Sequence, residues 1–362
     1  MFALGALWAA AVPWLGPPAG SAIAPGRWHA HEMIVGVMGA LAAGYHPAGS
    51  VHWSGVAAPA GRALAALAAL WLAGRGAMMA PPAALPAGAA ITVAAAFPAM
   101  LTVMMGRRVL SGRAWARAGV PMGFALLTAG GAALAAGAAP ATGGLMAVLA
   151  LGALFARIHG RILPAFTVTA LKGEALPGPT PRPAPMRGAL TPALIALALT
   201  ALAMGLMRLA AAALIAAGAA LILMQAGWRP DAGRRDGLLA MMHLSHLWLA
   251  AGLIATGAAL IRPDLLAPGA ALHAIAIGAL GGSGYAIAAR APARADGAGR
   301  LRPGAGLTAG FALIMAASAA RLTGWTVPAG ALWSAGWLSF VAAMVMAGRI
   351  PHPGPVFSGR RP

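Results

Sequence analysis

Apolar runs of about 20 residues follow one another along almost the whole chain, separated by short loops that hold most of the arginines. A helix rises 1.5 Å per residue, so about 20 residues cross the ~30 Å hydrocarbon core of a bilayer. Only helices and closed barrels satisfy their backbone polar groups there. The runs lie near residues 1–16, 28–45, 61–79, 84–105, 118–137, 140–160, 189–205, 207–227, 237–261, 268–289, 304–322 and 328–348. The expected fold is therefore all-α: a polytopic integral membrane helical bundle of about twelve transmembrane helices. With only 9% charged residues, against roughly a quarter in soluble domains, the chain lacks the polar surface a soluble protein needs. The runs are built on Ala, Leu and Gly, which suits close helix packing in lipid and equally suits a GC-rich genome.

The net charge of +19 invites a nucleic-acid reading, but the arginines sit in short loops, where they set membrane orientation. Twelve spans place both ends on one side, and that side receives 20 of the 25 basic residues. Arg27, Arg75, Arg208, Arg262 and Arg321 fall on the other. Both termini are therefore expected to be cytoplasmic, with the lipid bilayer as partner and no nucleic acid. Cysteine is absent, which removes disulfides and thiolate metal ligands. The opening "MFALGALWAAAVPWLG" has no basic start or small-residue cleavage site, so the first run reads as a membrane helix. A Pro-rich stretch, 171–188, divides the chain into an N-terminal half (1–170) and a C-terminal half (189–348), followed by a cytoplasmic tail (349–362). No sequence repeat relates the halves.

Against this background the stretch "RWHAHEM", residues 27–33, stands out, because ionisable groups at membrane depth are costly and mark function by default. Nine histidines occur, and the expected topology sorts most of them into two groups. His29 and His31 open the second run at the outer face, where His273 opens the tenth. His243 and His246, three apart and so on one helical face, begin the ninth run from the cytoplasmic side, near the depth of His159. His46 and His52 fall in a cytoplasmic loop and His352 in the tail. Imidazole is the commonest metal ligand and suits haem iron, copper and zinc. The H-E-x-x-H pattern of zinc proteases fails here, because "HEMIV" puts Val35 where the second His belongs. The bland readings are a hydrogen-bonded or interfacial role for any single His, and a Glu32 that pairs with Arg27 or sits at a helix N-terminus. Trp53, Trp228, Trp325 and Trp333 read as interfacial anchors.

"WHAHEMIVGVMGALAAGY" with the "HWSG" after it, "GRILPAFT" (160–167), "HLSHLWLAAGL" from His243 and "LHAIAIGALGG" from Leu272 resemble, in order, the motifs of the NnrS family of bacterial membrane proteins. The resemblance implies a twelve-helix inner-membrane protein that contains haem, as haem b, and copper. It further implies a tie to denitrification, nitric oxide and nitrosative stress. It supports His29, His31, Glu32, Arg161, Pro164, His243 and His273 as the positions to carry over, without assigning a metal to any. The chain departs from the family pattern at His246, where an aromatic is usual, at His159, where Gly is usual, and at His52 in place of Asn. It also has "DGAGR" (296–300), which lacks a loop His.

Two mechanisms follow. In the first, two of His29, His31 and His273 hold a haem near the outer face that binds nitric oxide, with Arg27 at the outer face or Arg157 and Arg161 at the inner face meeting its propionates. His29, His31, His243, His246 and His273 are then the candidate metal ligands. In the second, the bundle is a transporter of a small ion, metal or metabolite whose histidines relay protons or pass the ion. Whether the protein turns nitric oxide over, senses it or only binds it is open at this stage.

Overall fold

A computed structural model of the chain describes residues 1–138, 143–173, 178–181, 185–297 and 299–348, with the side chains of 185–188 left aside. The tail 349–362 with His352, and part of the 171–188 linker, lie outside the described residues. Long-range contacts gather into two units, Met1–Gly144 and Leu145–Ile350.

The first unit contains α1 (Phe2–Ala11), α2 (Pro25–His31), α3 (Gly39–Gly49), α4 (Val51–Ser54), α5 (Gly61–Met78), α6 (Ala87–Ser111) and α7 (Gly119–Ala136). Between α2 and α3 the helix widens to a π-helix, Glu32–Met38. Phe97, Leu101 and Met105 on one face of α6 pack against Leu67 and Trp71 of α5, Ala40 and Ala43 of α3, and Phe124 of α7. The i, i+4, i+8 spacing on α6 puts these three in one stripe. Pro47 and the turn that follows it are gripped by Arg108, which donates to Pro47 O, Ser50 Oγ (2.8 Å), Val56 O (2.8 Å) and Ala57 O (2.6 Å). Arg108 is thus buried, not a loop cation.

The second unit contains α8 (Gly143–Gly173), α9 (Pro185–Ala203), α10 (Met207–Ala226), α11 (Gly237–Ile261), α12 (Pro268–His273), α13 (Gly282–Ala288), α14 (Ala305–Leu322) and α15 (Thr326–Gly348). A second π-helix, Ala274–Gly281, joins α12 to α13. Helices α10 and α11 approach closely because Gly218 and Gly257 carry no side chain. A Cβ on Gly218 would stand 2.6 Å from Ala250 O, and one on Gly257 2.7 Å from Ala211 O. This is small-residue packing of the kind membrane helices use. A short hairpin pairs β1 (Arg294–Ala295) with β2 (Leu301–Arg302), and Asp296 accepts from Arg300 Nε (2.9 Å) and Arg302 Nε (3.0 Å) at its turn.

Among the described residues, eight helices are long and apolar enough to cross a membrane: α6, α7 with its preceding turn, α8, α10, α11, the Pro268–Ala288 stretch, α14 and α15. Phe2–Trp14 and Ala189–Ala203 are apolar but shorter. The sequence leads one to expect about twelve spans; length and composition alone carry eight of them. Arg62 and Arg75 dilute α5, and Arg27, His29, His31, Glu32 and His46 dilute the stretch from Pro25 to Gly49.

Candidate functional site

The "RWHAHEM" stretch forms α2 and the start of the first π-helix. Ala24 is extended, Pro25 occupies the first helical turn, and the α-helical turn ends at His31. Proline is favoured there because the missing N–H has no helical partner and its φ is already helical. Trp28 fixes the turn by donating Nε1 to Met78 O at 3.0 Å. His31 and Glu32 are both buried. Glu32 Oε1 accepts from His31 Nδ1 at 2.9 Å, and Oε2 accepts from Trp8 Nε1 at 2.8 Å. Arg75 Nη1 lies 3.1 Å from Oε2, an ion pair inside the protein. The pair is close but not a linear hydrogen bond, and Nε and Nη1 of Arg75 find no hydrogen-bonding partner. A carboxylate only accepts, so the Glu32 contact puts the His31 proton on Nδ1. In the neutral ring Nε2 then carries the free lone pair.

The π-helix makes this cluster possible. Gly36 lies where Arg75 and Trp8 press in; a Cβ would stand 2.4 Å from Arg75 Nη1 and 2.9 Å from Trp8 Nε1. Trp71 donates Nε1 to Gly36 O at 2.9 Å, fixing the widened turn from α5. Such π segments are rare and concentrate at functional sites.

The second unit repeats the device. Ala267 is extended, Pro268 starts α12, His273 ends it, and the second π-helix begins at the next residue. His273 Nδ1 bonds Gly269 O. A carbonyl only accepts, so this ring too holds its proton on Nδ1 and presents Nε2. Gly278 of the π-helix takes the place of Gly36, with Trp248 against it: a Cβ there would stand 2.7 Å from the indole.

A separate group of histidines lies elsewhere in the second unit. Asp236 caps α11 by accepting from Leu239 N at 3.0 Å, which sets the register that puts His243 and His246 on one face. His246 Nδ1 meets His159 Nδ1 of α8 at 3.2 Å, with both rings fully buried. The His246 ring packs on Trp228 at 5.0 Å, and His159 on Phe155 at 5.8 Å. His243 turns instead to Thr167 Oγ1 (3.1 Å) and to Gln225 Nε2, which also donates to His243 O (2.9 Å). Thr167 gives its only proton to Leu163 O at 2.8 Å, so His243 donates from Nε2 and accepts at Nδ1. Both its nitrogens are occupied.

The NnrS protein family profile matches residues 1–349. The chain belongs to the NnrS family. Membership makes it, in general terms, a membrane protein connected with nitric oxide. Comparison with curated proteins and with solved structures returns no match.

Of the positions singled out in this NnrS-family sequence, His31 and Glu32 come together with Arg75, while His29 is half-buried two residues earlier. His273 stands alone on α12, in the other unit. Arg27 is exposed and packs against Gly137, whose φ of +74° and missing Cβ leave it room. Arg161 is exposed on α8, and Pro164 is buried inside that helix. Proline there removes the bond to Gly160 O, one residue past His159. Glu32 pairs with neither Arg27 nor a helix N-terminus. Its partner is Arg75, which sequence reasoning placed in an outer loop and the structure buries at 3% exposure. The missed signal was a lone acid in one apolar run and an arginine well inside another, which require each other. Trp228 and Trp333, expected at the interface, are buried instead, whereas Trp325 is exposed.

Proposed function

We propose that this NnrS-family protein binds haem b at the helix-to-π junctions and acts through it in nitric oxide metabolism or nitrosative-stress tolerance. The observation that supports this most is the shared state of His31 and His273. Each ends a Pro-initiated turn, each has Nδ1–H tied to an acceptor, and each keeps Nε2 for a metal. Metal-bound histidines are built this way, because an acceptor on the second nitrogen fixes the tautomer and raises the basicity of the first. The donor set fits haem: neutral imidazole, with no thiolate in the chain.

Haem iron supplies the ligand-binding and one-electron chemistry when bound; the chain's part is to position and tune. Glu32 holds the His31 ring and makes it a stronger donor. Arg75 balances the carboxylate and keeps it from drawing the His31 proton fully away. Arg27, four residues before His31 and so on the same face, is the cation for a propionate at the outer end. His29, half-buried two residues before His31, is the other imidazole of that turn. The protein resides in the inner membrane with about twelve spans and both termini cytoplasmic, as the loop arginines direct. Copper is the second metal of this reading.

The deciding experiment is the visible spectrum of detergent-purified protein, oxidised and dithionite-reduced, from cells supplied with haem precursor. A b-type spectrum is expected, lost or shifted in His31→Ala and in His273→Ala. Glu32→Gln, which keeps the shape but removes the charge, should retain haem and raise its reduction potential. A colourless wild-type protein would sink the haem reading and leave a transporter in its place.

A further inference from the structure

The hairpin of β1 and β2 crowds positive charge into a small space. Antiparallel pairing sets Arg294 directly opposite Arg302, an arrangement that destabilises a strand pair because like charges then share one face. Asp296 accepts from Arg300 and Arg302 together, and Arg294 has no ion-pair partner among the described residues. The backbone around the hairpin brings in more cations. Arg302 Nη1 donates to Arg235 O, and Arg300 Nη1 donates to Gly173 O at 3.1 Å. These bonds hold the hairpin against the turn before α11, where Arg234 and Arg235 are exposed, and against the end of α8, where Lys172 is exposed. The acids of that turn are already engaged: Asp231 pairs with Arg229, and Asp236 caps α11. So short a hairpin gains little from its own pairing, and setting two arginines opposite each other points to an anion from outside.

The position of the hairpin selects the anion. It joins two segments apolar enough to cross a membrane, Pro268–Ala288 and Ala305–Leu322, and α11 begins two residues after Arg235. The cations therefore lie where spans end. With Gly218 beside Ala250 and Gly257 beside Ala211, α10 and α11 run antiparallel, which puts Leu223 and Leu244 at about one depth. That depth is ~10 Å along α11 from its start, and the two leucines are 74% and 40% exposed. Arginine charge above and bare apolar surface below match a phospholipid: guanidinium meets phosphate, and leucine meets acyl chain. A soluble phosphate would use the charge and leave the leucines without a role.

We propose that the hairpin arginines Arg294, Arg300 and Arg302, with Arg234 and Arg235, bind the headgroup phosphate of an anionic phospholipid in the adjoining leaflet. The bound phosphate offsets the repulsion between Arg294 and Arg302. It also ties the hairpin, the end of α8 and the start of α11 into one unit. The proposal is independent of haem at the His31 and His273 junctions.

The test is lipid selectivity. Full-length protein in detergent is titrated with phosphatidylglycerol, phosphatidylcholine or inorganic phosphate, and bound lipid per chain is counted by native mass spectrometry. Wild type should prefer phosphatidylglycerol, gain apparent Tm with it alone, and lose the preference at high salt. The double variant Arg235→Gln/Arg294→Gln should bind phosphatidylglycerol roughly 30-fold more weakly, as expected for two cations removed from a membrane surface. Arg117→Gln, exposed in the first unit, should bind as wild type does. Elution profile and helix content report folding, and Arg294→Gln alone, with a smaller loss, serves where the double variant aggregates. The same selectivity in wild type and well-folded hairpin variants would overturn the proposal, and so would a wild type without preference. Displacement of the lipid by inorganic phosphate would overturn it too, by assigning the charge to a soluble anion.

Discussion

Glu32 concentrates the costs of this sequence in one side chain. It is fully buried, its two oxygens answer His31, Trp8 and Arg75, and Arg75 itself retains unpartnered N–H groups. A buried pair of this kind contributes little net stability, but breaking it leaves a bare charge, at about 3–5 kcal/mol. Glu32→Ala should therefore lower the apparent Tm in detergent sharply, whether or not haem is present. Adding Arg75→Met should return most of the loss, since the orphaned guanidinium goes with it. A double variant no better than Glu32→Ala would mean that the carboxylate matters for His31 and Trp8 rather than for Arg75. At this scale the sequence was only half legible. "HAHEM" announced itself as polar residues in an apolar setting, but Arg75 resembled the other loop arginines, and its partner lies 43 positions away in a different helix. The facing of His159 and His246 was hidden for the same reason: spacing along one helix is visible in sequence, and adjacency between helices is not.

At the scale of elements, boundaries were readable where hydrophobic runs ended in charge or Gly. The ninth run, 237–261, coincides with α11, and 207–227 with α10 to within one residue. The two π-helices were not, because a widened helix keeps the same composition as an α-helix, and only close packing on Gly36 and Gly278 betrays it. That packing gives a sharp comparison. Gly36→Ala would push a methyl into Arg75 and Trp8, an overpacking that costs about 1–3 kcal/mol. Gly76→Ala, on α5 with open space around its Cβ, should be neutral or stabilising by up to ~1 kcal/mol. The apparent Tm should fall for Gly36→Ala and hold or rise for Gly76→Ala. In the haem-loaded protein, Gly36→Ala should also shift the spectrum, because it moves the turn carrying His31. Equal behaviour would argue that the first π-helix is incidental.

For the whole molecule, membrane sidedness rests on the loop arginines, and two of them do other work. Arg75 pairs with Glu32, and Arg108 grips the turn after Pro47. Arg108→Lys keeps the charge but loses the fork that meets four acceptors at once. It should lower the apparent Tm, since hydrogen bonds from a charged donor contribute about 1.5–3 kcal/mol, without altering topology. Removing one arginine from each side of the count leaves the bias intact, so the expected sidedness survives the correction. The chain has no cysteine, which makes the test direct: single cysteines introduced into exposed turns report the side they face. Within the first unit, Ala83 lies in the turn between α5 and α6, and Ala114 in the turn between α6 and α7. An impermeant maleimide should label Ala83→Cys in intact spheroplasts and label Ala114→Cys only after lysis, beside Arg107, Arg113 and Arg117. The reverse pattern would invert the bilayer around the first unit and put His31 at the cytoplasmic face. Any nitric oxide chemistry there would then draw on the cytoplasm rather than on the periplasmic side, where the arginine count places it.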